Sequence, residues 1–272
     1  MLFNANDHYN GVGMLSSIVD EFSARGQFSF TLKEVETPRN SSPAAIKAAI
    51  GRLQKKGQIA MPYRGFYVIV PPEYRVIGCL PAEQFIDDLM KYLEEPYYVG
   101  LLSAAEYHGA AHHRPQVFQV LVSRARRKIR CGKVLVEFIY RKNVADVATK
   151  KRNTPAGTIV VSTPETTALD LVGYERRSGG LDNVLTVLSE LAEKIDAKRL
   201  LEMAASSPIA WMQRLGYLLD KLGEEKRANI LAEYINEKNP ARIPLVPALT
   251  TRGSKSNRRW KLLINATVEA DI

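Results

Sequence analysis

Three features of the 272-residue sequence predict a mixed α/β (α+β) fold: an N-terminal winged helix-turn-helix domain, then a larger mixed α/β domain with a helical C-terminal part. First, a capped amphipathic helix over 42–57 is followed at once by two short apolar runs separated by a turn. Second, apolar runs at 116–122, 133–140 and 158–161 read as strands. Third, apolar positions beyond Leu181 recur with the helical period.

In chain order, Val12 to Arg25 carries Leu15, Ile18, Val19 and Phe22 on one helical face and stops at Gly26. Phe28-Ser29-Phe30 alternates as a short strand, Thr31 caps a helix over 32–36, and Pro38-Arg39-Asn40-Ser41 makes a turn. Ser42 is a good N-cap, Pro43 suits the first helical position, and Gly57 suits a left-handed stop. Ile46, Ala49, Ile50 and Leu53 form the core-facing stripe of this helix. The opposite face collects Ala44, Lys47, Ala48, Gly51 and Lys55, which are small or cationic. Ile59 to Pro62 and Phe66 to Val70 read as paired strands around the turn Tyr63-Arg64-Gly65. Helix followed by hairpin is the order of a winged helix. Such a helix is expected to enter a DNA major groove, with Arg64 reaching the neighbouring backbone or minor groove. Pro71-Pro72 closes this unit, so the expected domains are residues 1–75 and 76–272.

Past that point, Pro81 to Glu94 reads as a helix, Tyr97 to Gly100 as extended, and Leu101 to His108 as a short helix. The three strands follow. Ser162 and Glu165 stand at capping-box spacing before a helix that buries Ala168, Leu169, Leu171 and Val172. Helices are expected over 184–191, 197–205, 209–222 and 224–234, and a last short strand at Leu262-Leu263-Ile264.

The formal charge of +9 is unevenly placed. Residues 114–152 carry twelve Lys or Arg against two acids, and residues 252–261 carry five with none. Clustered positive charge points to a polyanion, DNA or RNA, as partner. The expected DNA contacts are Ser41, Ser42, Lys47, Arg52, Lys55, Lys56 and Arg64 from the helix and hairpin. Arg124, Arg126, Arg127, Lys128 and Arg130 would extend the cationic surface. With no apolar run of transmembrane length, no secretory start and only Cys79 and Cys131 as thiols, a cytoplasmic protein without a disulfide framework is expected.

Catalytic constellations are weak. Glu106, His108, His112 and His113 lie close in sequence, yet adjacent histidines point apart and no further ligand completes a metal set. Asp170, Glu137, Lys133 and Lys142 lack the order of a magnesium-dependent phosphodiesterase, and neither cysteine has a base beside it. No phosphate loop or dinucleotide fingerprint occurs. No enzyme activity, metal or cofactor is expected. A protein-interaction adaptor that does not bind DNA is the main alternative, ahead of a nucleic-acid-processing enzyme.

Three blocks carry a family resemblance. Tyr97-Tyr98-Val99-Gly100-Leu101-Leu102-Ser103-Ala104-Ala105-Glu106-Tyr107-His108-Gly109, followed by Pro115 to Val120, resembles the central signature of AbiEi-type antitoxins. Ser162 to Val172 is similar to a second block and Arg259 to Asn265 to a closing segment. These antitoxins belong to type IV toxin–antitoxin, or abortive-infection, systems. The resemblance implies a cytoplasmic protein encoded beside a nucleotidyltransferase toxin. Its N-terminal domain would bind inverted repeats in the operon's promoter as a repressor. Its C-terminal domain would counteract the toxin without a stable complex.

Overall fold

The computed structural model describes residues 17, 19–36, 42–110, 115–204 and 206–270. After helical residues 19–24 come β1 (Ser29–Thr31), α1 (Leu32–Glu36), α2 (Pro43–Lys55), β2 (Ile59–Tyr63), β3 (Phe66–Ile69) and α3 (Ile86–Tyr92). Next are β4 (Tyr97–Val99), α4 (Leu101–Tyr107), β5 (Phe118–Val122), β6 (Ile129–Cys131), β7 (Val134–Tyr140), β8 (Thr149–Thr154) and β9 (Gly157–Ser162). The chain ends with α5 (Pro164–Gly173), α6 (Gly180–Leu191), α7 (Ala197–Ala204), α8 (Ile209–Lys221), α9 (Glu225–Lys238), β10 (Ile243–Pro244), β11 (Lys255–Asn257) and β12 (Leu262–Ile264). The strand orders are β1-β3-β2, β6-β7-β5-β4-β9-β8 and β10-β12-β11. The mixed α/β class is the one the apolar patterns predict. Two compact units emerge, one of residues 1–96, 125–138 and 151–159, the other of 97–124, 139–150 and 160–272.

In the first unit, Ile46, Ala49, Ile50 and Leu53 of α2 are buried with Val19, Phe30, Val35, Ile59 and Ile69. This is the predicted stripe. β2 and β3 pair antiparallel, with a register shift between Ala60 and Tyr63 where Pro62 has no N–H to give. β1 pairs with the other edge of β3, and Phe30 stacks on Tyr67 at 5.4 Å. The helix expected over 81–94 is instead a 3₁₀ turn, Ala82–Gln84, followed by α3. Phe85 leaves the helical region (φ −132°), and its buried ring lies 6.5 Å from Phe66. Packing of that ring outweighs local helix propensity.

Three strands in basic stretches, β6, β8 and β11, are absent from the sequence expectation. In β6, Ile129 and Cys131 are buried while Arg130 is exposed. The Lys133 N–H donates to the Ile77 carbonyl (2.8 Å), which sets Cys79 opposite Cys131. Both are free, buried thiols hydrogen-bonded to each other, and that bond and then burial push the Cys79 thiol up.

The core of the second unit gathers α5, α6 and α8 with Leu231 and Ile235 of α9 and Trp260. The N-cap of α5 is Thr163, whose hydroxyl accepts from the Thr166 N–H, rather than Ser162. Pro164 at the first helical position moves the cap one residue along. Ser162 instead bonds the Thr167 hydroxyl (2.7 Å), and buried Glu165 accepts from the Asp196 N–H (2.9 Å). Trp260 is fully buried and donates its indole N–H to Asp220 (2.6 Å). A Cβ on Gly216 would sit 1.9 Å from the Trp260 ring. Gly216→Ala is expected to destabilise the protein by on the order of 3 kcal/mol, the upper end of overpacking penalties, measured by denaturant unfolding.

Candidate nucleic-acid interface

The α2 face opposite the core carries small and cationic side chains. The Ser42 side chain accepts from the Ala45 N–H (3.3 Å), and Pro43 follows it, so the helix starts where the sequence predicts. Gly57 ends it in the left-handed region (φ 66°). Ser42, Ala44, Lys47, Ala48, Lys55 and Lys56 are exposed, and the helix contains no acid. Arg52 is half-buried, and its Nε is enclosed without a hydrogen-bond partner. A Cβ on Gly51 would meet nothing within 4 Å, so no packing requires glycine there. Ser41 lies outside the described residues.

Arg64 is exposed at the tip of the β2–β3 hairpin. Gly65 supplies the turn (φ 79°), and Tyr92 anchors it by donating its hydroxyl to the Arg64 carbonyl (3.3 Å). The Tyr92 ring also packs 5.7 Å from Phe66, which ties the tip to α3.

The central basic residues divide by role. Arg127, Lys128 and Arg130 are exposed and belong to the unit that holds α2 and the hairpin; β6, which carries Arg130, lies against β2. Arg126 is only 16% exposed and ion-pairs with Glu95, itself 2% exposed. Its charge is engaged within the fold, a role that sequence spacing could not reveal. Arg124 is exposed but belongs to the second unit. Lys151 on β8, not singled out from the sequence, is exposed and belongs to the first unit.

Asp170 and His108, weighed for catalysis or metal binding, have structural partners. Asp170 is fully buried, ion-paired with Arg141 and hydrogen-bonded by the Tyr98 hydroxyl (2.8 Å). Burial pushes the Tyr98 phenol up, with Arg141 opposing. The His108 ring lies 2.8 Å from the Ser162 carbonyl oxygen, whereas His112 and His113 fall outside the described residues. Among the described residues no three His, Cys, Asp or Glu side chains group as a metal site.

Two expectations follow from this geometry. Gly51→Ala is expected to stabilise the fold by about 0.5 to 1 kcal/mol while weakening DNA binding, because the added methyl stands on the approach face. Calorimetric melting and a mobility shift measure the two effects. Arg126→Ala is expected to cost roughly 3 kcal/mol of stability by stripping Glu95 of its guanidinium. Arg127→Ala should stay within about 0.5 kcal/mol, as read in parallel urea titrations.

Residues 17–70 match a family model described as "Transcriptional regulator, AbiEi antitoxin", and residues 98–221 match one described as "AbiEi antitoxin C-terminal domain". No curated protein matches the chain. Among solved structures, the crystal structure of RV2827C protein from Mycobacterium tuberculosis is similar in fold, with a TM-score of 0.65. It is 17% identical, and the likeness covers 92% of this chain and 91% of that one. No described helix is long and apolar enough to cross a membrane. The two family matches fall on the helix–hairpin unit and on the segment with the Tyr98–Arg141–Asp170 cluster, which takes in the first two sequence blocks, while the closing block Arg259 to Asn265 lies outside them. The chain belongs to the AbiEi antitoxin family.

Proposed function

We propose that this antitoxin represses its own operon by binding inverted repeats in the promoter as a winged helix, and counteracts a nucleotidyltransferase toxin of a type IV system. In this reading residues 1–75 are the DNA-binding domain, and basic residues of the domain that follows add phosphate contacts. Residues 76–272 counter the toxin in the cytoplasm without a stable complex with it, and no catalysis by the antitoxin is involved. The observation that carries the reading is the face of α2. Lys47 and Lys55 stand exposed opposite the buried stripe, beside small Ala44, Ala48 and Gly51, with Lys56 exposed on the flank and Arg64 exposed on the hairpin that follows. Small side chains allow close approach to bases, and the cations meet phosphate. Arg127, Lys128 and Arg130 extend the phosphate contacts, with Arg124 as a further cation. Arg52, half-buried on the flank of the helix, adds a further positive charge there.

A mobility-shift titration against DNA upstream of the operon tests this. If six to ten phosphates are neutralised, affinity should fall by roughly three to five orders of magnitude between 50 and 200 mM salt. Lys47→Ala should lower binding to the promoter more than binding to unrelated DNA. Arg127→Ala with Lys128→Ala should weaken both alike. A flat salt response, or promoter binding untouched by all three substitutions, overturns the reading.

A further inference from the structure

The second basic stretch, residues 252–261, has no part in the proposed DNA contacts. Its cations nonetheless meet in one place. Asn229, Glu233 and Asn236 are exposed on α9 and, with half-buried Ala232, flank its buried Ala228, Leu231 and Ile235. Facing them, the turn between β11 and β12 brings in Arg258, Arg259 and Lys261. Together these seven residues line an open cavity of about 470 Å³.

The wall of this cavity is held in position. Arg259 lies over the Trp260 ring (5.2 Å to its centroid), pairs with Asp220 (3.3 Å) and donates to the Asn229 side-chain oxygen (2.6 Å). Lys261 adopts a left-handed conformation (φ 50°) that a lysine rarely takes. Its carbonyl is gripped by the Gln213 amide and the Ile243 N–H, each at 3.1 Å. That backbone strain is maintained by the surrounding fold, and the lysine side chain forms part of the cavity wall. No side chain among the described residues partners Arg258 or Lys261. Glu233 lines the cavity as well, while Asp220 offsets Arg259 from behind the wall.

We infer that this cavity binds a phosphorylated nucleoside, as a free nucleotide or at the phosphorylated end of an RNA. Arg258 and Lys261, neither of them in an ion pair among the described residues, stand beside the pre-positioned Arg259 guanidinium and leave a net positive site that fits a phosphate group or chain. The asparagines supply what bare phosphate would not need. Asn229 has spent its oxygen on Arg259 and keeps its N–H donors, whereas Asn236 offers both donor and acceptor to a base edge. The volume falls in the range of small-molecule sites.

The test is calorimetric titration of the full chain with ATP, adenosine, tripolyphosphate and a 5′-triphosphorylated RNA hexamer. ATP is expected to bind, adenosine not to, and tripolyphosphate to bind less tightly than ATP. Arg258→Gln with Lys261→Gln should weaken ATP binding by about tenfold or more, with an unchanged melting curve and unchanged promoter binding. Lys47→Ala with Arg127→Ala should leave ATP binding intact, which separates this site from the DNA face. RNA binding without ATP binding, lost in the same Arg258 and Lys261 variant, supports the strand end as source. Binding of neither, tripolyphosphate binding as tightly as ATP, or ATP binding undiminished in the Arg258 and Lys261 variant overturns the proposal.

Discussion

The rotation of α2 about its own axis is set by one apolar stripe, and the interface depends on that rotation. Ile46, Ile50 and Leu53 are each buried to within a few percent, and Ala49 lies between them. Burial of each large side chain is worth roughly 1.5 to 3 kcal/mol, so turning the helix by even one position would expose several kcal/mol of apolar surface. The outward direction of Lys47 and Lys55 is therefore a consequence of what the core holds on the other side. Ser42 fixes where the helix begins and Gly57 where it ends, so the cations have a defined height along the axis as well as a defined azimuth.

A different constraint organises the second unit. Arg141, just after β7, Asp170 on α5 and Tyr98 on β4 form a buried ionic cluster, and Trp211 of α8 covers the guanidinium at 5.3 Å. Desolvating such a pair offsets much of its attraction, so its value lies less in stability than in register. A slip of β4 by one residue would turn Tyr98 away and leave Asp170 with one fewer donor. Trp211 in turn leans on the bare Cα of Gly173, where a Cβ would come within 2.3 Å of its ring. The blocks that carry the family resemblance include Tyr98 and Asp170, so at these two positions the signature coincides with the polar centre of the unit.

Much of this was legible from periodicity. The α2 stripe, the hairpin, α1 and most C-terminal helices follow from apolar spacing and end signals, because in those segments local preference and tertiary packing agree. β6 and β8 were not legible, since Arg130, Lys150, Lys151 and Arg152 give charge where a strand pattern looks for apolar alternation. The helix expected over 81–94 fails at Phe85, where a ring contact with a residue nineteen positions earlier decides the backbone. For the candidate DNA face, the exposure of Lys47 and Lys55 could be read from the helical wheel, and that of Arg64 from its place in the turn. The engagement of Arg126 with Glu95 could not, because it depends on two segments 31 residues apart coming together.

The bulge at Pro62 bears on how the hairpin behaves among copies of itself. β2 is the outer strand of its sheet, and an open strand edge ordinarily invites a second chain to zip alongside. Here the ladder is interrupted between Ala60 and Tyr63, one amide is missing, and β6 lies against the same strand. Edge-to-edge polymerisation is thereby discouraged at the place where a protruding β-ribbon is most vulnerable to it, and the ribbon can project outward without becoming a nucleus for aggregation.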